Sequence, residues 1–187
     1  IIDNVNIGAL IMHYYGPGGE VGWAKERVLE LIDINSWENL NNMPVFVTAT
    51  CEFSRYDDAE RVSAGEQVLL NPEGAGIALF TTTRTITEDD AYNLSRSFYK
   101  YALPENAGEV LTFGQLITSM KNDLNSTGIS ATNKSKFTLL GDPALKLPIP
   151  QLNVVVSEIL NPSTNEHIDT LYALSKVKVK GAVLSED

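Results

Sequence analysis

Hydrophobic and polar positions follow two patterns along the first 150 residues of the chain. Some segments are continuously apolar and rich in β-branched residues, which is typical of buried strands. These predicted strands cover residues 5–15, 44–50, 76–83 and 137–143. Between them lie segments with helical spacing or capping signals, such as Thr87 followed by acidic residues. These predicted helices cover residues 22–35, 63–71, 87–103 and 112–124.

Strands that are apolar on both faces and alternate with helices indicate a mostly parallel sheet covered on both sides. This is a three-layer α/β/α sandwich. In such sheets, ligands bind beyond the carboxyl ends of the strands. Three features fall at such ends: the glycine cluster GPGG at 16–19, Cys51, and the segment TTTR at 81–84. We expect these ends to meet at one edge of the sheet and to form a site.

A second region begins after the segment LPIP at 147–150. Beyond it, residues 152–159 and 171–184 alternate between apolar and polar in the manner of strands, with a polar turn between them. The sequence therefore predicts a boundary between residues 1–148 and residues 149–187. The second region is interpreted as the incomplete first part of a β-sandwich domain.

Composition and charge exclude several classes of function. With 43% hydrophobic residues, the chain can form a substantial core. Its formal net charge of -10 argues against nucleic acid and anionic membrane surfaces as partners, since both require a basic surface. No apolar run has the length of a membrane span. The chain begins with Ile1 and not with Met, and we expect it to be an excised piece of a longer protein.

Cys51 is the only cysteine of the chain, and it stands where an apolar strand gives way to polar residues. A lone cysteine is either a small buried hydrophobic residue or a reactive thiol. The position at a strand end favours the reactive thiol. Asp57, Asp58 and Glu60 follow with Arg55, and they form either a solvated or ion-paired loop or a contact with substrate or metal. The spacing is not that of an EF-hand, and we predict neither metal nor cofactor.

Four segments carry a resemblance to a known family: YYGPGGEVGWAKERVL, TATCEFSRYDD, GEQVLLNPEGAGIALFTTTR and LLGDPALKLPIP. They resemble the gingipain-type cysteine peptidases and, within that family, most closely the PorU-type sortases of the type IX secretion system. The resemblance spans residues 5–150 and extends to the β-rich tail. It implies a caspase-like fold followed by an Ig-like domain, and a Cys–His dyad that cleaves peptide bonds.

The resemblance assigns roles to individual residues. Cys51 matches the nucleophile of the family, and Gly18 matches the glycine whose backbone N–H helps to form the oxyanion hole. The family pattern at this turn reads approximately Tyr-x-Gly-His-Gly-Gly-Glu, but Pro17 stands where the catalytic histidine belongs. Proline has no titratable group, so it can neither accept the proton of the thiol nor protonate the leaving amine.

The chain has two histidines. His167 lies in the tail and is interpreted as a surface residue. His13 precedes Pro17 by four residues, which corresponds to roughly 13 Å of extended chain. We interpret His13 either as a partly buried strand residue or as a substitute base.

Three charged residues near the predicted site are candidate substrate contacts. Glu20 either holds the glycine turn through backbone N–H groups or touches substrate. Arg84 either contacts substrate or forms a structural salt bridge. Glu52, which directly follows Cys51, is also assigned to substrate binding.

The resemblance implies a cysteine-type peptidase domain that acts in proteolysis or in sortase-type processing of secreted proteins. The implied partners are protein or peptide substrates, including secreted cargo with a C-terminal sorting domain. The implied location is the cell surface, outer membrane or periplasm of a bacterium. We expect an upstream region to supply further strands and another active-site acid. The alternative hypothesis is a catalytically inactive binding or scaffold homologue, because the dyad lacks its histidine.

Overall fold

The computed structural model describes residues 1–103, 110–149 and 152–184. The chain divides into two compact units, residues 1–148 (unit 1) and residues 149–187 (unit 2). The strands of unit 1 are β1 (Ile11–Tyr15), β2 (Gly18–Gly19), β3 (Gly22–Trp23), β4 (Leu29–Glu30), β5 (Val45–Ala49), β6 (Ala78–Thr82) and β7 (Phe137–Leu140).

The central sheet of unit 1 has the strand order β1-β5-β6-β7. β1, β5 and β6 are parallel, and β7 is antiparallel to β6. Tyr15 lies opposite Ala49 and Thr48 lies opposite Thr81, so the three parallel strands end at a similar level. Every residue of β5 and β6 is buried, as their uninterrupted apolar pattern predicts. The predicted α/β fold with a mostly parallel sheet is confirmed.

Helices cover both faces of this sheet. They are α1 (Ile2–Ile7), α2 (Leu31–Asn35), α3 (Ala64–Leu70), α4 (Glu88–Ala102), α5 (Phe113–Asp123) and α6 (Ala131–Ser135). On one face, Phe80 packs edge-to-face against Phe98 of α4 and Phe113 of α5, with ring centroids 5.0 and 5.6 Å apart. On the other face, Phe46 belongs to a buried cluster that includes residues of α2 and α3. No helix in the described parts of the chain is long and apolar enough to cross a membrane.

The two long helices begin at the residues that the sequence predicts as their caps. Thr87 Oγ1 accepts a hydrogen bond from the backbone N–H of Asp90 at 3.2 Å. The acidic side chains of the first turn interact favourably with the positive end of the helix dipole. Thr112 and Gln115 form a capping box at the start of α5, in which each side chain binds the backbone N–H of the other residue. The predicted helices over 87–103 and 112–124 are therefore confirmed.

The predicted strand over 5–15 is wrong in its first part. Ile2–Ile7 form helix α1, which ends where Gly8 adopts a positive φ of 107°, and the strand begins only at Ile11. Val5 is fully buried while Ile7 is 78% exposed, as in an amphipathic helix. Periodicity alone does not distinguish a strand from a helix in so short an apolar run.

The predicted helix over 22–35 is also wrong, apart from its last turn, which is α2. The rest of the segment belongs to a small antiparallel sheet with the order β2-β3-β4. Ala24 and Arg27 have positive φ values of 60° and 57°, which no right-handed helix accommodates. A Cβ at Gly22 would lie 2.0 Å from the carbonyl oxygen of Leu29, so the close approach of β3 and β4 requires glycine.

Unit 2 contains two antiparallel strands, β8 (Asn153–Leu160) and β9 (Lys178–Leu184), with an irregularity between Val156 and Glu158. Strands were predicted over 152–159 and 171–184, and both occur, although the second begins later than predicted. All residues of β9 are exposed. The expectation that this ribbon begins an Ig-like β-sandwich stays a prediction.

Asn71 connects the end of α3 to the end of α2, and its loss is expected to destabilise unit 1. Its Nδ2 donates to the carbonyl oxygens of Ile34 at 2.8 Å and Trp37 at 3.1 Å, and its Oδ1 accepts from the N–H of Glu73 at 3.0 Å. Asn71→Ala should lower the free energy of unfolding by about 2 kcal/mol, because buried carbonyls lose their donor. Asn122→Ala, at an exposed position of α5, should change it by less than about 0.5 kcal/mol. Equal losses of unfolding free energy in the two variants, measured by urea unfolding, would contradict the role of Asn71.

Candidate active site

A cavity of about 310 Å³ opens where the carboxyl ends of β1 and β5 approach the start of α4. Its lining residues are Tyr15, Gly16, Pro17, Ala49, Thr50, Cys51, Ile86, Thr87, Glu88 and Ala91. Cys51 and the turn after β1 therefore share one site, as the sequence predicts for parallel strand ends. A larger cavity of about 590 Å³ lies near the amino ends of the same strands, and among the described residues that line it only Lys146 is ionisable.

Cys51 is half-buried in the wall of the smaller cavity. Its S–H donates to the carbonyl oxygen of Ile86, with 3.8 Å between sulfur and oxygen. β5 ends at Ala49, two residues before the cysteine, and Glu52, which follows the cysteine, has a positive φ of 54°. Such a conformation is uncommon for a residue with a side chain. The thiol is thus accessible from the cavity, and the segment after it bends away from the sheet.

The turn after β1 is held through the carbonyl group of Pro17. This oxygen accepts hydrogen bonds from the hydroxyl of Tyr14 at 2.7 Å and from the N–H of Ala24 at 2.9 Å. The ring of Tyr14 stacks on Trp23, with centroids 4.5 Å apart and 4° between the planes. Burial, together with the nearby carboxylate of Glu26, raises the pKa of Tyr14, so the hydroxyl keeps its proton and remains a donor. Pro17 itself is exposed.

Gly18 brings this turn against the segment that carries Cys51. A Cβ on Gly18 would lie 2.4 Å from Thr50 Oγ1 and 3.2 Å from the carbonyl oxygen of Gly22, so only glycine permits the approach. Thr50 is 2% exposed, and its hydroxyl has no hydrogen-bond partner among the described residues. The contact fixes the spacing between two neighbouring backbone segments. The role of the Gly18 N–H as an oxyanion donor stays a prediction.

A set of buried hydroxyl groups lies on β5, on β6 and in the segment after Cys51. The sequence patterns described above do not predict it. Thr48 Oγ1 donates to Thr81 Oγ1 at 2.7 Å, and Thr81 Oγ1 also bonds Ser54 Oγ at 2.8 Å. Thr82 Oγ1 donates to the carbonyl oxygen of Thr50. The available signal is that two of the predicted strands end in TAT and TTT. Buried polar side chains need hydrogen-bond partners, and here the hydroxyl groups of Thr48, Thr81 and Ser54 bond one another.

His13 lies against helix α4 and is not among the residues that line the cavity. Its Nε2 is 3.1 Å from Ser95 Oγ, and its ring contacts Tyr99 with centroids 5.3 Å apart. Desolvation by burial lowers the pKa of His13, although the residue is exposed. It is a strand residue, as interpreted, but an exposed one and not a partly buried one. The interpretation as a substitute base receives no support from its position.

The carboxylate of Glu20 is bound by two arginines and does not cap the glycine turn. Its Oε1 accepts from Arg55 Nη1 at 2.8 Å, and its Oε2 lies 3.5 Å from Arg61 Nε. The side chain of Glu20 is only 14% exposed. The carbonyl oxygen of Glu20 also accepts from the N–H of Ala64 at 2.7 Å, which joins the loop to the start of α3. These contacts give Glu20 a structural part in unit 1.

Arg84 and Glu52 also lie outside the lining of the Cys51 cavity. Arg84 forms a two-pronged ion pair with Asp57, in which Nη1 lies 2.9 Å from Oδ1 and Nη2 binds Oδ2. The hydrogen bond from Arg84 lowers the pKa of Asp57. Glu52 Oε1 is 3.9 Å from Arg55 Nη1. Within the predicted loop of charged residues, Arg55 and Asp57 are thus ion-paired. Substrate contacts by Glu20, Glu52 and Arg84 gain no support. Within the described residues, no three or more His, Cys, Asp or Glu side chains are grouped to hold a metal ion.

The sequence profile of Peptidase family C25 matches residues 1–148, which correspond to unit 1. The chain belongs to peptidase family C25. Unit 1 is therefore a domain of the cysteine-peptidase type, and the predicted relation to the gingipain family is confirmed. The narrower resemblance to the PorU branch stays a prediction. No curated protein sequence matches the chain.

Solved structures of other proteins share the fold. The complex of the pro- and mature domains of Porphyromonas gingivalis RgpB has 17% identity and a TM-score of 0.69, and the match covers 84% of this chain and 39% of that one. The Arg-specific cysteine proteinase gingipain R (RgpB) has 16% identity and a TM-score of 0.69, with 84% and 38% covered. This C25 chain thus spans about two fifths of the length of these proteins. The likeness confirms the caspase-like α/β architecture.

The contact between Gly18 and Thr50 predicts an unequal response of two adjacent glycines. Gly18→Ala should lower the free energy of unfolding by roughly 1–3 kcal/mol, because the added methyl group overlaps the Thr50 side chain. Gly19→Ala is the matched control, since a Cβ there meets nothing within 4 Å. Thr50→Ala in the Gly18→Ala background should recover most of the loss, because it removes the clashing atoms. Similar urea midpoints for the two glycine variants would refute the contact.

The lowered pKa of His13 predicts that this residue destabilises the folded state in mild acid. The unfolded chain takes up a proton near the ordinary histidine pKa of about 6.5, whereas folded His13 takes it up only at lower pH. The unfolded state then binds more protons, so this contribution to stability is present above pH 6.5 and is lost as the pH falls towards the folded pKa. NMR titration should give His13 a lower midpoint in the folded protein than in the urea-unfolded protein. Equal midpoints would exclude the effect.

Proposed function

We propose that this chain carries the nucleophile of a gingipain/PorU-like cysteine peptidase domain and that Cys51 is that nucleophile. The observation that supports this most directly is the position of the thiol. It is half-buried at the carboxyl end of β5 and lines a cavity together with the turn at Gly16 and Pro17. Because the chain belongs to peptidase family C25, acyl transfer is the first candidate for the chemistry of this cavity.

In the proposed reaction, the Cys51 thiol loses its proton and the thiolate attacks the carbonyl carbon of a peptide bond. The C–N bond then breaks, the leaving nitrogen takes up a proton and departs as an amine, and a thioester remains on Cys51. The oxyanion that develops on the carbonyl needs hydrogen-bond donors already in place. The backbone N–H groups of Gly18 and Cys51 are the proposed donors. The packing of Gly18 on Thr50 supports this proposal, since it keeps the two backbone segments close together.

Pro17 occupies the proposed position of the general base, and it is well accommodated there. Its carbonyl group accepts from two donors, and the preceding Gly16 has a positive φ of 152°, which glycine tolerates. The ionisable side chains among the lining residues are those of Tyr15, Cys51 and Glu88. An imidazole is not among them. We therefore expect this chain by itself to cleave peptides at a negligible rate, since general acid–base assistance contributes about 10²–10⁴-fold.

The proposed substrates are proteins or peptides, and for a PorU-like role they are secreted cargo proteins that carry a C-terminal sorting domain. The proposed location is the bacterial cell surface, outer membrane or periplasm. Family membership and the likeness to gingipain R support a protein substrate. The formal net charge of -10 agrees with a partner other than nucleic acid.

A second candidate function is binding of peptides without cleavage. Pro17 favours it, because this residue lines the cavity but cannot transfer protons. Under this hypothesis, the same cavity binds an extended peptide, and Cys51→Ala leaves the affinity unchanged.

Pro17→His is expected to make Cys51 more reactive without disturbing the fold. At pH 6.5 an ordinary thiol is only about 1% thiolate, and a neighbouring imidazolium raises that fraction. Alkylation of Cys51 by iodoacetamide should therefore become about tenfold faster at pH 6.5. Pro17→Ala is the matched control, because it removes the ring without adding an imidazole.

The readout requires no peptidase activity and concerns the sole thiol of the chain. Urea unfolding establishes that the variants are folded. If folded Pro17→His protein reacts at the rate of Pro17→Ala over the whole pH range, position 17 does not face Cys51, and the proposed site is wrong. If alkylation is faster but peptides are bound and not cleaved, binding becomes the favoured function.

A further inference from the structure

Thr82, the last residue of β6, contacts the chain on both sides of Cys51. Its hydroxyl donates to the carbonyl oxygen of Thr50, which directly precedes the cysteine. Its own carbonyl oxygen accepts from the N–H of Ser54, three residues after the cysteine, at 3.1 Å. Thr82 is fully buried. One residue of the neighbouring strand therefore fixes both flanks of the segment that carries the thiol.

A second pair of contacts strengthens the downstream attachment. Ser54 Oγ bonds Thr81 Oγ1 at 2.8 Å, and the carbonyl oxygen of Phe53 accepts from the N–H of Gly65 at 2.8 Å. A Cβ on Gly65 would lie 1.8 Å from Ser54 Oγ, so the start of α3 packs directly on this segment. The downstream flank is thus attached to β6 on one side and to α3 on the other. The upstream flank is attached to β6 through the Thr82 hydroxyl.

The backbone between these attachments needs such support. Glu52 has a positive φ of 54°, a conformation that is unfavourable for a residue with a side chain and persists only where its surroundings enforce it. This residue directly follows Cys51, whose S–H donates to the carbonyl oxygen of Ile86. Loss of the upstream attachment would let the segment relax, and the thiol would then leave this position.

We propose that Thr82 is a positioning residue for Cys51. It acts through Thr50 and Ser54 and does not touch a ligand, since it is fully buried and does not line the cavity. The assignment of Cys51 as the group that is positioned for chemistry rests on the proposed function. The attachment itself does not, and it is measured without substrate.

The test compares three variants of the full chain. Thr82→Val keeps the shape of the side chain and removes the hydroxyl, while Thr82→Ser keeps the hydroxyl. Ser97→Ala is the matched control, because it also removes a buried hydroxyl donor, 3.2 Å from Asp123 Oδ2, but on α4 and outside the hydroxyl groups that contact the Cys51 segment. For each protein, urea unfolding gives the global stability. The rate of Cys51 alkylation and the exchange rate of the Ser54 amide, both in native buffer, give the local behaviour.

Thr82→Val should accelerate Cys51 alkylation and Ser54 amide exchange about fivefold, since loss of one buried hydrogen bond shifts a local opening equilibrium by about that factor. Thr82→Ser should behave like the parent. Ser97→Ala should lower the urea midpoint and leave both local rates unchanged. The proposal is overturned if Thr82→Val and Ser97→Ala change the local rates equally, because the Thr82 hydroxyl would then have only a general effect on stability.

A measurement on the unaltered chain covers the case in which Thr82→Val does not fold. If the attachment holds, the Ser54 amide should exchange as slowly as that of Val47 in the centre of β5. Exchange as fast as that of Asp58 in the following loop would overturn the proposal. None of these readouts uses peptide cleavage, so an inactive protein leaves the test intact.

Discussion

Parallel pairing of β5 with β1 on one side and β6 on the other is the constraint on which the candidate site depends. Because the three strands run in one direction, the segments that follow them leave the sheet at the same edge. β5 and β6 are buried over their whole length, so a shift in their register would place apolar side chains outside the core. The register that buries Phe46 and Phe80 therefore also fixes the position of Cys51 relative to the glycine turn.

The elements predicted correctly are those whose signal is local. β5 and β6 are uninterrupted apolar runs, and α4 and α5 begin at capping threonines that bind the backbone within one turn. The helix prediction for residues 22–35 is wrong because contacts between residues that are distant in the sequence determine the structure of this segment. The close packing of Gly22 against Leu29 involves backbone atoms brought together by a loop, and the positive φ values at Ala24 and Arg27 have no marker in a sequence without glycine there.

The same distinction holds within the site. The sequence places Cys51 correctly, since a strand end is visible in the pattern of residues. The ion-pair partners of Glu20 and Arg84 cannot be predicted from the sequence. The path of the loop between residues 52 and 62 determines which charged side chains meet. The buried threonine hydroxyls form an intermediate case. Their clustering at two strand ends is present in the sequence, but the pairing of Thr82 with the carbonyl of Thr50 becomes evident only when the two strands are side by side.

The contacts that hold the glycine turn do not involve the side chain that is proposed to determine the chemistry of the site. Tyr14 and Ala24 bind the backbone carbonyl of residue 17, and Gly18 packs on Thr50, so none of these contacts uses the side chain of residue 17. That side chain belongs to an exposed residue that borders the cavity. The proposed replacement of a histidine by proline at this position would remove the proton-transfer group and leave these backbone contacts intact. Under that proposal, retention of the C25 architecture is compatible with either function of the cavity, because proton transfer would depend on one exposed side chain that these contacts do not use.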